Sequence, residues 1–124
     1  MKIILIIALF INILLADIFT DDEKRKAIKQ VNLNLPMRLN ESTTLVNFSI
    51  IDDTFSYMAN VDKRNFFSNK EKKSIKQQTI KGVCTDKRSL VGLKRGLRYN
   101  YSYRNKNTYK VFYQFNITIK DCEL

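Results

Sequence analysis

The sequence predicts an α+β domain in which two or three helices pack on one face of a four-stranded antiparallel sheet, in the order α-β-β-α-β-β. Three observations lead to this fold class. Segments of alternating apolar and polar residues occur in two adjacent pairs, which is typical of β-hairpins. An amphipathic segment that begins with a capping box precedes each pair. The third observation is a single pair of cysteines, which suits a small domain held by one covalent crosslink.

The N-terminus has the pattern of a secretory signal peptide. Met1-Lys2 is a short basic region, and the following residues 3–15 are apolar except for Asn12. A membrane-spanning helix needs about 20 apolar residues, so this run is short for a permanent anchor. We therefore expect residues 1–16 to be a signal peptide and residues 17–124 to form a single domain, with an uncleaved N-terminal anchor as the alternative.

The two cysteines, Cys84 and Cys122, both lie in the predicted mature chain. In an oxidising compartment an isolated pair of cysteines indicates a structural disulfide, whereas in the cytosol it indicates two free thiols. The compartment predicted from the N-terminus favours the disulfide. We expect the protein to be periplasmic or secreted, with no membrane span left after cleavage.

The first predicted helix and hairpin follow directly. Thr20 to Glu23 form a capping box, apolar residues then recur at helical spacing, and Pro36 ends the pattern. Residues 43–51 and 54–61 alternate as two strands, joined by a turn at Asp52-Asp53. Adjacent aspartates in a tight turn face water, so turn chemistry explains them better than acid–base catalysis.

A second capping box, Ser68 to Glu71, starts the next predicted helix, which carries many lysines on its outer side. Cys84 lies at or just past its end. Residues 85–96 suit a short third helix with Gly96 as its C-terminal cap.

Two long alternating segments then form the second predicted hairpin, turning at Asn105-Lys106-Asn107. On one face the tyrosines and aliphatic residues are expected to form the core. Strict alternation places Arg98, Arg104, Lys110 and Phe112 on the other face. An aromatic ring among basic side chains suits a binding surface, so these four residues are the predicted binding face; an ordinary solvated sheet face is the alternative.

The composition excludes most catalytic sites. There is no histidine, so Ser-His-Asp and Cys-His sites are impossible and a zinc site is disfavoured. The three glycines do not form a phosphate-binding loop. No spacing selects two carboxylates as a hydrolase pair, although a hydrolase stays formally open. We predict a protein that is not an enzyme and has no cofactor or metal.

Charge is distributed unevenly along the chain. The net charge is +10: residues 63–124 carry +12, and the residues before them are net negative. This asymmetry favours an anionic partner, and a plain solvated surface is the alternative. Since export removes the usual nucleic acids, we expect an anionic envelope polymer or a protein. The sequence gives no indication of oligomeric state.

Several short motifs resemble a group of small exported bacterial proteins. These are Leu35-Pro36-Met37, the hairpin of residues 43–61, Val83-Cys84-Thr85, Leu97-Arg98-Tyr99-Asn100-Tyr101, and the final residues 117–122 that end in Asp121-Cys122. The resemblance implies a compact domain with a four-stranded sheet and a Cys84–Cys122 bridge, located in the periplasm or outside the cell. It implies no activity and no catalytic residue.

The function predicted from the sequence is that of an exported, non-enzymatic binding or accessory protein. The alternative is an inhibitor of a secreted protease or lysozyme that acts through a loop such as residues 85–88 or 104–108. Four Asn-x-Ser/Thr sequons, at Asn40, Asn47, Asn100 and Asn116, also leave a secreted eukaryotic protein open. Two of them fall in predicted strands that should be partly buried, so we attribute the sequons to the asparagine-rich composition.

Overall fold

The structure is a computed structural model, and it describes residues 20–62 and 67–123. The predicted signal peptide, residues 1–16, lies outside the described residues. The elements, in chain order, are α1 (Asp21–Asn32), β1 (Met37–Arg38), β2 (Thr43–Ile51), β3 (Thr54–Val61), α2 (Asn69–Thr85), α3 (Lys87–Lys94), β4 (Arg98–Asn105), β5 (Val111–Ile117) and a 3-10 helix (Ile119–Cys122).

The helix starts are confirmed by their caps. The Thr20 hydroxyl accepts a hydrogen bond from the Glu23 N–H at 3.1 Å. Ser68 and Glu71 form a complete capping box at the start of α2. Such caps supply partners for N–H groups that the first turn of a helix leaves unpaired. α1 ends at Asn32, four residues before Pro36, and the Asn32 side chain is directed at β2.

The predicted four-stranded antiparallel sheet is wrong. The described residues form a five-stranded mixed sheet in the order β1-β2-β3-β4-β5, with three α-helices. The extra strand, β1, has only two residues, which pair with Leu45 and Thr44 of β2. A segment this short carries no alternation pattern, so the sequence did not reveal it. The class α+β is unchanged.

The second correction concerns strand direction, because β3 and β4 run parallel. The predicted hairpins themselves are present: β2 pairs with β3 and β4 pairs with β5, both antiparallel. Between the hairpins, α2 and α3 carry the chain back to the end of the sheet where β3 begins. A helical crossover of this kind is what parallel neighbours require, whereas the prediction assumed antiparallel pairing throughout.

One face of the sheet forms the core, as predicted for the tyrosine-rich side. The buried residues of this face include Leu45, Phe48, Ile50, Phe55, Tyr57, Ala59, Val61, Tyr99, Tyr101, Tyr103, Phe115 and Ile117. Their rings meet across strands, as in the contacts of Tyr57 with Phe48 and Tyr101 at centroid distances of 5.0 and 5.2 Å. Ala27 and Val31 of α1, Ile75 and Val83 of α2, and Leu93 of α3 belong to the same cluster.

The predicted disulfide between Cys84 and Cys122 is confirmed, with a Cα–Cα distance of 5.4 Å. It joins the end of α2 to the 3-10 helix that follows β5. Gly96 has φ +97°, the left-handed conformation expected of a residue that follows a helix. None of the helices in residues 20–62 and 67–123 has the length and apolar character to cross a membrane.

Candidate binding surface at the basic corner

The face of the sheet opposite the core is polar, and we call it the polar face. Its central side chains are Asn47, Ser49, Ser56, Met58, Asn60, Asn100, Ser102, Arg104, Gln114 and Asn116. They follow from the alternation of each strand, since every second residue lies opposite the core. None of the ten is a carboxylate, so this part of the face carries no acid–base pair.

The middle of the polar face is a closed hydrogen-bond network. Asn100 donates to the side-chain oxygen of Asn116 at 2.7 Å. Ser102 and Gln114 both donate to the side-chain oxygen of Asn100, at 3.1 and 3.3 Å. Asn100 and Ser102 are buried. Because these groups already satisfy one another, the network stabilises the sheet and leaves little polar capacity for a ligand.

One end of the polar face is different, and we call it the basic corner: Arg104, Lys106, Tyr109, Lys110 and Val111. The Arg104 side chain donates from Nε to the Asn60 side-chain oxygen. Its guanidinium carbon lies 4.8 Å from the centroid of the Tyr109 ring, within cation–π range. Tyr109 and Val111 are 64% and 46% exposed. Apolar area and positive charge therefore lie side by side at this corner.

The backbone at the corner is constrained. Tyr109 has φ +59°, an uncommon conformation for a residue that is not glycine. Its N–H donates to the Asn105 carbonyl at 2.8 Å, and the Asn105 side-chain oxygen accepts from the N–H of Asn107 at 2.8 Å. These bonds hold the Tyr109 ring in solvent, next to Arg104. Strained backbone of this kind is found preferentially at functional sites.

A groove of about 430 Å³ adjoins the basic corner. Its lining includes Arg38 after Pro36, Thr44 and Val46 on β2, and Asn60 and Lys106, which connect it to the corner. Glu41 also lines the groove, and the Asp62 carboxylate lies 3.6 Å from the Lys106 ammonium group. Both side chains are exposed, so this ion pair contributes little stability and leaves the positive charge accessible.

Of the four predicted binding residues, the structure brings two together. Arg104 pairs with Val111 across the hairpin, and the Lys110 carbonyl accepts from the Asn105 N–H, so Arg104 and Lys110 belong to the same corner. Arg98 lies six residues earlier on β4. At about 3.3 Å per residue it is about 20 Å from Arg104.

Phe112 lies apart from these cations. The register shifts between Tyr103 and Arg104, so strict alternation fails at residues 111 and 112. Phe112 packs against Phe67 at a centroid distance of 5.2 Å, beside the core. Tyr109 and Val111, which alternation assigned to the core, are exposed instead. A bulge has no marker in this sequence, so the pattern alone could not reveal the exchange.

The buried tyrosines are structural groups. Burial raises the pKa of Tyr57, Tyr99, Tyr101 and Tyr103 well above the usual value, so all four stay neutral at physiological pH. Tyr99 donates to the Ser89 carbonyl at 3.0 Å. Within the described part of the chain, no three His, Cys, Asp or Glu residues lie together in a way that could hold a metal ion.

Comparison with known proteins gives a match in fold alone. No protein-family model and no curated protein matches the sequence. Among solved structures, a protein of Pseudomonas aeruginosa described as secreted has a TM-score of 0.67 and 16% identity, over 82% of this chain and 91% of that one.

Two further matches are pilotins of type II secretion systems. EpsS of Vibrio vulnificus has a TM-score of 0.63 and 14% identity, over 85% of this chain and 99% of that one. AspS of Vibrio cholerae has a TM-score of 0.59 and 15% identity, over 78% of this chain and 86% of that one. The chain therefore has the fold of a group of small α+β proteins that includes a secreted protein and secretion-system pilotins.

Proposed function

We propose that this protein is an exported, non-enzymatic accessory protein that binds a protein component of a cell-envelope assembly through its basic corner. The observation that carries the proposal is the exposed Tyr109 ring, which is held by its backbone conformation and has the Arg104 guanidinium over its face. Tyrosine and arginine are, with tryptophan, the residues enriched among those that dominate the binding energy of protein interfaces. Val111 adds exposed apolar area next to them.

Charge supports the same surface. In the part of the chain that the structure describes, Arg104, Lys106 and Lys110 outnumber the two carboxylates that line the adjoining groove, Asp62 and Glu41. Charge complementarity would draw an acidic partner surface to this corner and increase the rate of association. The fold shared with two pilotins supports an accessory role in a secretion system. The N-terminal sequence pattern supports export to the periplasm with removal of residues 1–16.

The proposal is tested by photo-crosslinking in the native envelope. A benzophenone amino acid at position 109 should form a crosslink to a protein, and the variant Arg104→Glu/Lys110→Glu should lose it. The matched control is Lys26→Glu/Lys29→Glu, which makes the same charge change on exposed positions of α1 and should keep the crosslink.

Two outcomes would contradict the proposal. One is a crosslink that the corner variant retains at the yield of the wild type. The other is crosslinked material that resists protease but is removed by polysaccharide-degrading enzymes, since that result would identify a polymer as the partner.

A further inference from the structure

The hydrogen bonds of β4 determine which backbone groups of β5 lie on the outer edge of the sheet. The Arg98 N–H donates to the carbonyl of Asp53, just before β3, at 2.9 Å, and the Lys106 N–H donates to the carbonyl of Val61, the last residue of β3, at 3.1 Å. Along β4, the backbone N–H and C=O groups of the even-numbered residues therefore form their hydrogen bonds with β3. The Asn105 N–H donates to Lys110 at 2.9 Å, so odd-numbered residues bond toward β5.

The register carries this pattern into β5. Tyr113, Phe115 and Ile117 lie opposite Tyr103, Tyr101 and Tyr99, so their backbone groups bond inward to β4. Gln114 and Asn116 consequently direct their backbone N–H and C=O groups away from the sheet. The next outward N–H, that of Thr118, donates to the Asp121 carboxylate at 2.8 Å.

Within residues 20–62 and 67–123, no group forms a hydrogen bond with the outward backbone N–H and C=O groups of Gln114 and Asn116. Both residues are exposed. The strand itself, Val-Phe-Tyr-Gln-Phe-Asn-Ile, contains no charge, proline or glycine. Natural edge strands are usually blunted by such residues or covered, because a bare edge is a template for another strand.

The charges around β5 indicate what kind of strand could pair with this edge. The Lys72 ammonium lies 5.7 Å from the Tyr113 ring centroid, above the strand, and Lys110 and Lys120 are exposed near its two ends. A second copy of the chain would bring two such sets of lysines together, and like charges oppose that pairing. An acidic segment is complementary to all three.

We propose that β5 accepts an extended, acidic segment of the partner protein as a sixth strand, with Gln114 and Asn116 as the pairing residues. This inference rests on the proposed function, because it takes the partner to be a protein. It adds the conformation and the charge of the segment that is recognised.

The test uses the exported protein labelled with ¹⁵N and a synthetic peptide of five alternating threonine and valine residues flanked on each side by two glutamates. At saturating peptide, amide hydrogen exchange at Gln114 and Asn116 should slow at least about tenfold. The same peptide with lysines in place of the glutamates should leave exchange unchanged.

Two variants separate pairing from folding. Gln114→Pro removes one outward N–H at an edge position where proline is tolerated, and should abolish the effect at Asn116. Gln114→Ala keeps the N–H and should behave as the wild type. If thermal unfolding shows that Gln114→Pro does not fold, Asn116→Pro replaces it, and the loss of the effect is then measured at Gln114.

Absence of slowing with the glutamate peptide, equal slowing with the lysine peptide, or slowing that follows protein concentration without peptide would each overturn the inference. The proposed function fails separately. A crosslink at position 109 that Gln114→Pro retains in full refutes the sixth strand alone, whereas edge pairing without any protein crosslink refutes the proposed function alone.

Discussion

The β2 edge and the β5 edge of the sheet differ in whether their outward backbone groups have hydrogen-bond partners. At the β2 edge, the Asn32 side chain accepts from the Phe48 N–H at 3.1 Å and donates to the Phe48 carbonyl at 2.8 Å, so one amide takes the place of a neighbouring strand. β1 covers the same edge at Thr44 and Leu45. At the β5 edge, the described residues place no such group on Gln114 or Asn116.

The β5 edge is nevertheless fixed in position. The Tyr113 hydroxyl donates to the Lys72 carbonyl of α2 at 2.8 Å, and the Cys84–Cys122 disulfide ties the segment after β5 to the end of α2. The comparison shows that an edge strand can be held by its side chains and by a crosslink while its outward backbone groups stay accessible. A strand in this condition is ordered in advance for binding.

The largest expected effect acts on the core that both edges share. The pKa of the four buried tyrosines is raised in the folded protein, so above pH 10 the unfolded chain releases protons that the folded chain retains. The contribution of these four tyrosines to stability is therefore constant below pH 10 and falls above it, by up to about 1.4 kcal/mol per tyrosine and pH unit. Urea unfolding between pH 8 and 11 measures the slope.

Two variants control this prediction. Tyr57→Phe should reduce the slope by the share of one tyrosine, while Ile51→Ala, at an exposed position that carries no hydroxyl, should leave it unchanged. A slope that responds equally to both variants would show that the buried hydroxyl is not its cause.

Removal of the disulfide should release the β5 edge. Cys84→Ala/Cys122→Ala opens a crosslink between residues 38 positions apart, and we expect a loss of about 4 kcal/mol in the free energy of unfolding. Exchange should rise most at Ile117 and Thr118 and least at Phe48. Urea unfolding and hydrogen exchange measure the two effects, and a uniform rise along the whole sheet would contradict the local role.

Asn32→Ala should open the β2 edge. Asn32 makes three hydrogen bonds, including one to the Ile28 carbonyl, so we expect a loss of about 2–3 kcal/mol. Asn34→Ala is the matched control, because that exposed side chain makes one bond, to the Gln30 carbonyl, and should cost less than about 0.5 kcal/mol. Equal losses in the two variants would refute the edge role of Asn32.

The smallest effect is expected at Tyr113. Tyr113→Phe removes the bond to Lys72 and should cost about 1 kcal/mol in chemical unfolding. Tyr109→Phe, which alters an exposed hydroxyl, should be neutral within about 0.5 kcal/mol. A neutral Tyr113→Phe would mean that the disulfide alone holds this edge to α2.

Many of the helices and strands were predictable from local sequence signals. The capping boxes at Thr20 and Ser68 located two helices, and alternation gave the limits of β2 and β3. Both signals act over a few residues. Parallel pairing of β3 with β4 and the bond from Asn32 to Phe48 depend on residues far apart in sequence, so no local pattern indicates them.

The candidate site was predictable in part for the same reason. Arg104 and Lys110 were found because charge and alternation identify them. Because the register shifts beside Arg104, Val111 lies opposite Arg104, where alternation had placed Phe112. The positive φ of Tyr109 exposes a ring that alternation had assigned to the core. Neither change has a local marker in the sequence, because a β-bulge and a positive φ at a residue other than glycine depend on the backbone geometry of the folded hairpin.

The most direct measurement is residue-resolved amide hydrogen exchange in the isolated, folded protein without any peptide. The Phe48 amide should be strongly protected, and Asn32→Ala should remove that protection, whereas Gln114 and Asn116 should exchange quickly while Tyr113 and Phe115 on the same strand remain protected. Protection at Gln114 and Asn116 equal to that of their neighbours would show that this edge is already closed, and would contradict the account.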